Sequence, residues 1–387
     1  MFVLNNWVSL QFIMLTNVYK KEVEELYRTP IVQQTSFWSL VKKKQGATPI
    51  AIGFKSRESD LFSNVKYDRY IYSDFLVIVR HLSSDMSVAY VPYGPELEPD
   101  EQNHGVFLEE ISECIRPFLP KNCILIRYDL SWKSYWADDP SCYDDRGVFQ
   151  DLPDTNIQNL RFNCNTINWN FQKAQFNILP SSTIYINLED DLDTILMRMK
   201  PKTRYNIHLS QRKGVVVRPL GMENLDIWYE LYKDTAIRNG LHLNDIRYFE
   251  TVLSSRSCKG LSSADVQLLL AEYEGKPIAA MFLVITGKRG SYLYGASSSF
   301  NRNCMATYAL QWEAIKMSKA MGCNEYDMFG VSPGPDENHP LYGLYKFKVG
   351  FGGRMHHGLG CWDYPLDQEK YNYFKSTEIN SQGFHLR

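Results

Sequence analysis

Two segments of the 387-residue chain repeat one pattern, and this repeat constrains the fold more than any other feature. In the first half, the strand-like "MSVAYVPYGPEL" is followed by the helical "NHGVFLEEISECIRPFL" and the strand-like "CILIRYDL". In the second half, "GSYLYGASS", "MATYALQWEAIKMSKAMG" and "CNEYDMFGV" come in the same order. Both copies end on a Tyr-Asp pair, Tyr128-Asp129 and Tyr326-Asp327. A supersecondary unit that occurs twice predicts an internal duplication.

More strand-like segments precede each copy of the repeat. "RYIYSDFLVIVRHL" comes before the first copy, and "VQLLLAEYEGKPIAAMFLVITGKRGSYLYG" leads into the second as a meander with turns at "EGK" and "GKRG". Helical segments lie upstream of that meander. Helices, an antiparallel meander, a crossover helix and one more strand form the element order of the GNAT acyltransferase fold. We therefore predict an α+β fold with two GNAT-like domains in tandem.

The length of 387 residues is enough for two domains of ordinary size. The polar, turn-rich stretch "NWNFQKAQFNILPSST" separates the two periodic halves. We expect an N-terminal domain of residues 1–172 plus 358–387 and a C-terminal domain of residues 173–357. This division assumes that the tail, with "CWDYPL" and "QEKYNYFKST", packs back onto the first half.

Charge and cysteine usage argue against several classes of protein. A formal net charge of −2 is not that of a protein that coats nucleic acid over its whole surface. The 8 cysteines form no CxxC pair and the histidines form no HExxH, so we predict no metal site. Reduced, mostly buried cysteines are typical of a cytoplasmic protein.

The chain start predicts neither a signal peptide nor a membrane span. "MFVLNNWVSLQFIML" lacks a charged first region and a small-residue cleavage site, and Asn5, Asn6, Ser9 and Gln11 interrupt its apolar residues. Met14 is an alternative start. The sequence therefore leaves open whether residues 1–13 belong to the native protein.

The expected coenzyme A site lacks its glycines. An acyl-CoA enzyme of this fold holds the pyrophosphate on a Gly-rich turn at the start of the helix after the meander, where backbone N–H groups and the helix dipole favour the anion. Here the stretch "NRNCMATYALQW" has Asn303 to Thr307 in place of glycines, and the first half has the acidic "ELEPDEQNHGVF". Both halves look unfit for coenzyme A, which predicts another acyl donor.

Residues 198–218 form the most basic stretch of the chain, with no Asp or Glu. Its basic residues are Arg198, Lys200, Lys202, Arg204, Arg212, Lys213 and Arg218. A solvated helix face is the usual meaning of such a run. The acidic "EDDLD" just before it shows that the charges are segregated, which favours a polyanion partner.

Five segments of the chain occur in an order that resembles one known family. They are "FWSLVKKKQG", "AYVPYGPEL", "RYDLSW", "MKPKTRYNIHLSQRKGVVV" and "LYKFKVGFGG". Over roughly residues 20–365 the chain resembles the Fem family, the FemABX peptidyltransferases. This family joins two GNAT-like domains and transfers an amino acid from aminoacyl-tRNA to the amine of the third stem-peptide residue of a peptidoglycan precursor, lipid II or its UDP-linked form. Without a stretch long and charged enough for a helical hairpin arm, the chain resembles the armless FemX-like type.

The resemblance assigns Lys348, Phe347 and Asp129 to catalysis. Lys348 matches the lysine that contacts the aminoacyl-tRNA end and stabilises the charge developing on the ester carbonyl, and Phe347 matches its aromatic neighbour. Such a cation suits ester aminolysis, which otherwise needs only a free, well-positioned amine. Asp129 matches a carboxylate that lines the acceptor cleft. The glycines after Lys348 are expected to let a nucleotide or peptide lie against backbone. An ordinary surface lysine and a turn-forming strand-end Asp are the alternatives.

Lys42, Tyr248 and Tyr294 match residues that bind the precursor. Lys42 matches the lysine that holds the diphosphate, although Lys43 and Lys44 leave its register open by one residue. Tyr248 and Tyr294 match tyrosines that hydrogen-bond the precursor. A solvated helix end and ordinary core aromatics are the alternative interpretations.

Two positions depart from the family pattern. Asn244, still counted among the substrate-binding residues, stands where the family has an arginine that assists the diphosphate, and Ile124 replaces a precursor-binding tyrosine. Diphosphate recognition is then weaker or differently built, with Lys43 or Arg204 as the candidate cations. For the donor, the residues predicted to contact tRNA are Lys202, Arg204, Arg212 and Lys213.

The sequence therefore predicts an aminoacyl-tRNA-dependent aminoacyltransferase that adds glycine, alanine or serine to the peptidoglycan cross-bridge. Its expected partners are a lipid-linked or UDP-linked precursor and aminoacyl-tRNA, the latter as a co-substrate in place of any cofactor. We expect a cytoplasmic monomer, with peripheral contact to the inner face of the cytoplasmic membrane if lipid II is the acceptor. An acyl-CoA N-acyltransferase and a non-catalytic binding module for precursor or tRNA remain the alternatives.

Overall fold

The computed structural model describes residues 14–145, 148–150, 152–240, 243–255 and 260–380. Residues 1–13, on which the interpretation of the chain start depends, lie outside the described residues. The structure consists of helices on a single large sheet, and its two halves follow each other along the chain.

The first half of the sheet is an antiparallel meander followed by one parallel strand. Its strands are β1 (Leu15–Lys21), β2 (Thr48–Arg57), β3 (Tyr70–His81), β4 (Ser87–Pro92) and β5 (Cys123–Lys133). Its helices are α1 (Ser36–Lys44), α2 (Glu58–Leu61), α3 (His104–Ile115) and α4 (Thr155–Phe162). Strands β1 to β4 pair antiparallel, and β5 runs parallel to β4. Helix α3 provides the crossover that a parallel pair needs.

The second half repeats this arrangement. After β6 (Gln172–Lys173) its strands are β7 (Ser182–Asn187), β8 (Val216–Leu220), β9 (Asp265–Tyr273), β10 (Lys276–Thr286), β11 (Arg289–Ser297) and β12 (Glu325–Asp327). Its helices are α5 (Leu192–Arg198), α6 (Pro201–Arg212), α7 (Leu225–Asn239), α8 (Ile246–Ser254) and α9 (Ala306–Ala320). Strands β8 to β11 pair antiparallel, and β12 runs parallel to β11 after the α9 crossover. The predicted fold class, two GNAT-like units in tandem, is confirmed.

One late strand joins the two halves. The last elements are α10 (Tyr342–Lys348), β13 (Arg354–Pro365) and α11 (Gln368–Asn380). Strand β13 pairs with β7 through residues 354–357 and with β5 through residues 358–365. The sheet order is therefore β1-β2-β3-β4-β5-β13-β7-β12-β11-β10-β9-β8, with β6 beside β13. The pairing changes at residue 358, where the predicted N-terminal domain resumes; the domain boundaries themselves stay a prediction.

A hydrophobic core shared by both halves fixes their relative position. Phe37 and Trp38 of α1 pack in one cluster with Trp228 of α7, Phe249 of α8 and Phe282 of β10. The Trp228 ring lies 4.8 Å from the Phe282 ring and 5.3 Å from the Phe249 ring. Burying each large side chain contributes about 1.5–3 kcal/mol. Helix α1 is thus held against the second half of the molecule although it belongs to the first.

The described helices are short. The longest of them, α7 and α9, have 15 residues each. Among the described residues, no helix combines the length and the apolar character that crossing a bilayer requires. No group of three His, Cys, Asp or Glu side chains in the described part of the chain is placed to hold a metal ion.

Candidate functional site

Three predicted precursor-binding residues lie together in an aromatic cluster between the two halves. Lys42 is in the last turn of α1, with its Nζ 4.8 Å from the centre of the Trp38 ring and 5.7 Å from that of the Tyr248 ring. The hydroxyls of Tyr248, in α8, and Tyr294, in β11, are 2.6 Å apart. Residues that are more than 200 positions apart in sequence, such as Lys42 and Tyr248, therefore form one surface.

Asn244 lies at the edge of the same cluster. Its Nδ2 donates to the Tyr232 hydroxyl at 3.2 Å. The Tyr232 ring is 4.7 Å from the Phe249 ring, which follows Tyr248 in α8. The structure thus brings all four predicted precursor-binding residues together. Their role in binding stays a prediction.

Lys42 has a second cation beside it. Burial, and then repulsion by Arg80, lower the pKa of Lys42 to about 8. Burial also lowers the pKa of Arg80, which lies one residue before the end of β3, on the face of the shared core. Lys43 is exposed, and Lys44 donates to the Ser254 hydroxyl at 3.2 Å. Of the three lysines, Lys42 is the one that reaches the aromatic cluster. An anionic ligand bound at Lys42 would reduce this repulsion.

Lys348, the last residue of α10, is buried and points at a chain turn. Lys348 is 3% exposed, and its Nζ donates to the carbonyls of Phe329 at 3.1 Å and Gly330 at 2.9 Å. The Nζ also lies 5.1 Å from the centre of the Tyr292 ring. Burial lowers the pKa of Lys348 to about 7, against the opposing effect of the Asp327 charge.

Phe347 supports the helix that carries Lys348. Its ring packs edge-on against Tyr308 of α9, at 4.9 Å, and against Phe351, at 5.2 Å. Tyr308 and Phe351 are themselves stacked at 5.8 Å. The aromatic residue beside Lys348 is thus part of a three-ring cluster that anchors α10 to α9.

The glycines after Lys348 face the protein's own chain. A Cβ at Gly352, where φ is +74°, would lie 2.4 Å from the Arg198 carbonyl oxygen. A Cβ at Gly353 would lie 2.5 Å from a methyl of Ile184, and one at Gly350 would lie 2.3 Å from the Thr203 hydroxyl. A side chain at these positions would meet α5, α6 or β7, while Gly352 and Gly353 also line a cavity of about 450 Å³. The expectation that these glycines let a nucleotide or peptide lie against backbone stays a prediction.

Lys348 and the Lys42 cluster lie on opposite faces of the sheet. A bulge at Leu293 makes Tyr294 pair with Phe282 and Tyr292 pair with Leu283. Tyr294 consequently packs in the core shared with α1, whereas Tyr292 packs in the core of the second half and faces Lys348. Strand β11 pairs with β12 only through residues 289–291, so the two strands separate beyond that point. The opening begins after Ser291 and Asp327, the last pair of the two strands.

A cavity of about 230 Å³, here called the central cavity, lies at this opening. Its charged lining residues are Glu96, Glu98, Arg289, Asp327 and Arg354. Tyr93 and Phe329 also line it, with φ angles of 51° and 59° and rings 6.2 Å apart. Left-handed backbone at bulky residues costs of order 1–3 kcal/mol each and is typical of functional sites. Because the Phe329 carbonyl also accepts from Lys348, the lysine lies directly behind the cavity wall.

Asp129 lies in the protein interior. The residue is 0% exposed, and its Oδ2 accepts from the Tyr90 hydroxyl at 2.8 Å and from the Leu179 N–H at 2.9 Å. Burial raises its pKa. The lining of the central cavity contains Asp327, its counterpart in the second copy of the repeat, and not Asp129. The assignment of Asp129 to the acceptor cleft stays a prediction.

The predicted tRNA-binding residues divide into two groups. Lys202, Arg212 and Lys213 are exposed, and the guanidinium of Arg212 lies 5.6 Å from the centre of the exposed Tyr205 ring. Arg204 instead donates to the Met199 carbonyl at 2.5 Å, in the turn between α5 and α6. Helix α6 contacts the Lys348 segment through its own start, because the Lys200 N–H donates to the Gly350 carbonyl at 2.8 Å.

Two other cations of the basic stretch, Arg198 and Arg218, pair with carboxylates. Arg198 pairs with Asp190. Arg218 pairs with Glu272 through two hydrogen bonds, of 2.6 and 3.0 Å. The sequence alone does not distinguish these paired arginines from the exposed residues of α6.

The start of α9 is occupied by side chains. Met305, directly before the first helical residue, has a φ of 56°, and Asn301 has a φ of 53°. A glycine adopts such angles without strain, yet neither position has one. The donor site expected of an acyl-CoA enzyme thus lacks glycine even where the backbone is left-handed.

Comparisons with known proteins place the chain among related sequences. The model of the FemAB family matches residues 24–255 and 262–378. A lipid II:glycine glycyltransferase of Staphylococcus epidermidis (strain RP62A) is 23% identical over 262 residues, which cover 52% of this chain and 62% of that protein. The protein of the same name from Staphylococcus aureus (strain USA300) is 22% identical over 263 residues, with the same coverage of 52% and 62%. The chain therefore spans less than two thirds of the length of these relatives.

Among solved structures, the crystal structure of FemX aligns with a TM-score of 0.69 and 18% identity, over 93% of this chain and 100% of that chain. A likeness at this level of identity shows the fold alone. The alignment extends over both halves of the sheet, because it covers nearly all of each chain.

Proposed function

The chain belongs to the FemAB family, and we propose that it transfers a small amino acid from aminoacyl-tRNA to a peptidoglycan precursor. The acceptor is the amine of the third stem-peptide residue, and the product is an amide bond. The curated relatives are named for lipid II and glycine, which makes glycine the first amino acid to test, ahead of alanine and serine. Lipid II and the UDP-linked form are both candidate acceptors.

The observation that carries this proposal is the Lys42 cluster. Lys42 is partly buried beside Tyr248, whose hydroxyl lies 2.6 Å from that of Tyr294, and the charge of the partly buried Arg80 repels it. A diphosphate would pair with both cations, and the tyrosine rings and hydroxyls offer contacts for a sugar or a base. Arg80 would thus supply the charge that the family arginine, replaced by Asn244, does not.

The geometry around Lys348 supports a role in the chemical step. An ammonium group has three N–H donors, and the carbonyls of Phe329 and Gly330 use two of them. The third remains for the ester oxygen of the aminoacyl group. A donor fixed in this way needs no reorganisation as charge develops on that oxygen, and low polarity around it strengthens the interaction. In aminolysis the amine nitrogen forms a bond to the carbonyl carbon, the ester C–O bond breaks, and the tRNA hydroxyl leaves with a proton.

Helix α6 is the proposed contact for the tRNA. Its exposed lysines, its Arg212 and the neighbouring Tyr205 ring combine positive charge with a stacking surface, as in proteins that bind single-stranded nucleic acid ends. The start of α6 touches Gly350, two residues after Lys348. A tRNA held on this helix would therefore have its aminoacyl end near Lys348. In this proposal the protein works as a cytoplasmic monomer, with peripheral membrane contact when lipid II is the acceptor.

One reconstituted assay tests the proposal. Purified protein is incubated with a UDP-linked pentapeptide precursor or with lipid II, and with a panel of charged tRNAs or with acetyl-CoA. Product masses are then recorded. We expect a mass increase of one or more small amino acid residues with at least one charged tRNA, and none with acetyl-CoA. Robust acetylation of an amine together with no product from any charged tRNA would contradict the proposal and favour the acyl-CoA alternative.

A further inference from the structure

The walls of the central cavity carry more negative than positive free charge. Glu96 and Glu98 enter it from the segment between β4 and α3, and Asp327 enters it from the end of β12. His356 also lines the cavity, but burial lowers its pKa, so it is neutral at neutral pH. The proposed roles of Lys42 and Lys348 use none of these three carboxylates.

The two guanidinium groups at the cavity share one carboxylate, that of Glu325. Arg289 donates to Glu325 through its Nε at 2.8 Å, and Arg354 donates to the other oxygen of the same carboxylate through Nη2 at 3.0 Å. Both guanidinium groups also stack on the Tyr185 ring, at 4.6 and 5.0 Å from its centre. In the described part of the chain, neither guanidinium forms an ion pair with Glu96, Glu98 or Asp327, although the Asp327 charge contributes to the raised pKa of Arg289.

The protein fixes the orientation of the Asp327 carboxylate through hydrogen bonds to one of its two oxygens. The Thr183 hydroxyl and the Phe329 N–H, the latter at 2.8 Å, both donate to Oδ1. Among the described residues, no hydrogen-bond donor contacts Oδ2. Asp327 remains 8% exposed and lines the cavity. A carboxylate whose orientation is fixed through one oxygen can present the other to a cationic ligand.

We propose that the central cavity is the subsite for a primary ammonium group, with Asp327 as its anionic contact and Glu98 as the acceptor of its proton. This inference rests on the proposed function, whose substrates bring two primary amines: that of the third stem-peptide residue and the α-amine of the aminoacyl group. It assigns the acceptor amine to the cavity. Phe329 links the cavity to Lys348, so an amine bound here would approach the ester carbonyl from the side opposite to the lysine.

The proton transfer has a suitable partner in Glu98. Burial raises the pKa of Glu98 to about 7. The groups that face it are the Lys133 backbone N–H, which donates at 3.2 Å, the charges of Lys133 and Glu101, and the His104 ring, whose Nε2 is 3.7 Å away. Burial lowers the pKa of His104 to about 4, so that ring is neutral.

In the first step, the bound R–NH₃⁺ gives one proton to the Glu98 carboxylate and becomes R–NH₂. In the second step, the amine forms the C–N bond, the ester C–O bond breaks, and the second proton of the nitrogen leaves with the tRNA oxygen. A carboxylate with a pKa near the working pH suits such a general base.

The test compares two forms of one probe, a UDP-linked pentapeptide with lysine at its third position. One form has the free side-chain amine and the other has it acetylated. Calorimetric titration measures their affinities for the wild type, Asp327→Asn and, as a charge-matched control on α9, Glu313→Gln. We expect the wild type and the control to bind the free amine about tenfold to a hundredfold more tightly, as for a charge-assisted contact. In Asp327→Asn this ratio should fall to about one, and a ratio kept at the wild-type level would overturn the proposal.

Transfer kinetics provide the second arm. For Glu98→Gln, at a half-buried position, we expect turnover to lose the rise that the wild type shows below pH 7, as the pH increases towards that value; a retained rise would overturn the role of Glu98. If Asp327→Asn raises the Michaelis constant for charged tRNA and leaves the affinity ratio intact, the cavity holds the donor amine and the acceptor assignment is wrong. If the wild type transfers nothing, the proposed function fails, whereas the affinity ratio still decides whether the cavity binds the amine.

Discussion

At the scale of single residues, Lys348 carries the first prediction. If its ammonium stabilises the developing oxyanion, Lys348→Met should lower turnover by about 10²–10³, equivalent to roughly 3–4 kcal/mol, and leave precursor affinity nearly unchanged. Lys346→Met is the matched control, because Lys346 lies in the same helix with its side chain exposed. Turnover numbers and dissociation constants of the three proteins test the prediction. Turnover of Lys348→Met within a factor of a few of wild type, with the fold intact, would show that the lysine is not catalytic.

The same lysine predicts the alkaline side of the pH profile. Because burial lowers its pKa to about 7, Lys348 is charged below pH 7 and loses its charge as the pH rises through that value. An oxyanion contact is then lost at higher pH, so turnover should fall above about pH 7 in the wild type. The residual turnover of Lys348→Met should lack this fall.

Lys42 and Arg80 carry the second prediction. If both hold the diphosphate, replacing either with Met should raise the Michaelis constant of the precursor about tenfold to a hundredfold, the usual worth of a hydrogen bond to a charged group, and spare turnover. Lys43→Met is the control, since Lys43 is exposed beside Lys42. Steady-state kinetics with varied precursor measure the effect. An unchanged Michaelis constant for the precursor in Arg80→Met would mean that Arg80 does not replace the family arginine, at whose position this chain has Asn244.

The site residues differ in how well the sequence predicts them. Lys348 and Lys42 are predicted from short segments that resemble the Fem family, and their roles stay predictions. Arg80 and Asp327 are not predicted in this way, because their importance depends on what the fold places opposite them. In the sequence, Arg80 is an ordinary arginine near the end of β3, and only the packed structure brings its charge to bear on Lys42 of α1. Asp327 was visible as the partner of Asp129 in the repeat, but only the separation of β11 and β12 shows which of the two reaches a cavity.

At the scale of elements, helix α6 carries the third prediction. Neutralising Lys202, Arg212 and Lys213 together should weaken tRNA binding and flatten its dependence on salt, since each lost phosphate contact removes roughly 0.7–0.9 from the log–log slope. Arg218→Gln is the control, because Glu272 already compensates Arg218. Binding titrations at several salt concentrations give the slopes. An equal slope in wild type and triple variant would identify the run as a solvated face.

Arg204 is left out of that variant for a structural reason. Its guanidinium donates to the Met199 carbonyl at the end of α5, so replacing it would disturb the turn that places α6.

The glycines after Lys348 show how far a local sequence pattern predicts structure. Their spacing correctly indicates a close backbone approach, and the structure shows that the approaching group is the carbonyl of Arg198. A local pattern predicts that something must come close, and tertiary packing decides what it is.

At the scale of the whole molecule, the repeat predicts the two units and their internal order, because each meander and crossover is a local arrangement of consecutive segments. It does not predict how the units join. Strand β13 completes both halves of the sheet, with residues 354–357 on β7 and residues 358–365 on β5, and its sequence contains no signal for this change of partner. The sequence also does not predict the core that α1 shares with α7 and α8, because an amphipathic helix does not specify which apolar surface packs against it.

The tail that follows β13 carries the last prediction. Arg127 of β5 is buried and binds Asp363 of β13 through two hydrogen bonds, of 2.6 and 2.8 Å, and Glu378 of α11 through two more, of 2.5 and 2.8 Å. In Glu378→Gln the Arg127 guanidinium keeps the Asp363 carboxylate as its counter-charge and loses the charge-assisted contact with α11. We therefore expect Glu378→Gln to lower the free energy of unfolding by roughly 1.5–3 kcal/mol, the usual contribution of a hydrogen bond to a charged group. Glu230→Gln, which breaks the exposed pair with Lys233, should cost about 0–1 kcal/mol.

Urea titrations followed by tryptophan fluorescence measure both variants. Because the tail is tied to β5, and the shared core ties β5's half of the sheet to α7 and α8, the loss should appear in one cooperative transition of the whole molecule. An early, separate transition in Glu378→Gln with the main midpoint unchanged would mean that α11 unfolds alone. In that case the tail would be an accessory of the first half and not a part of the common structure that positions Lys42 against α8.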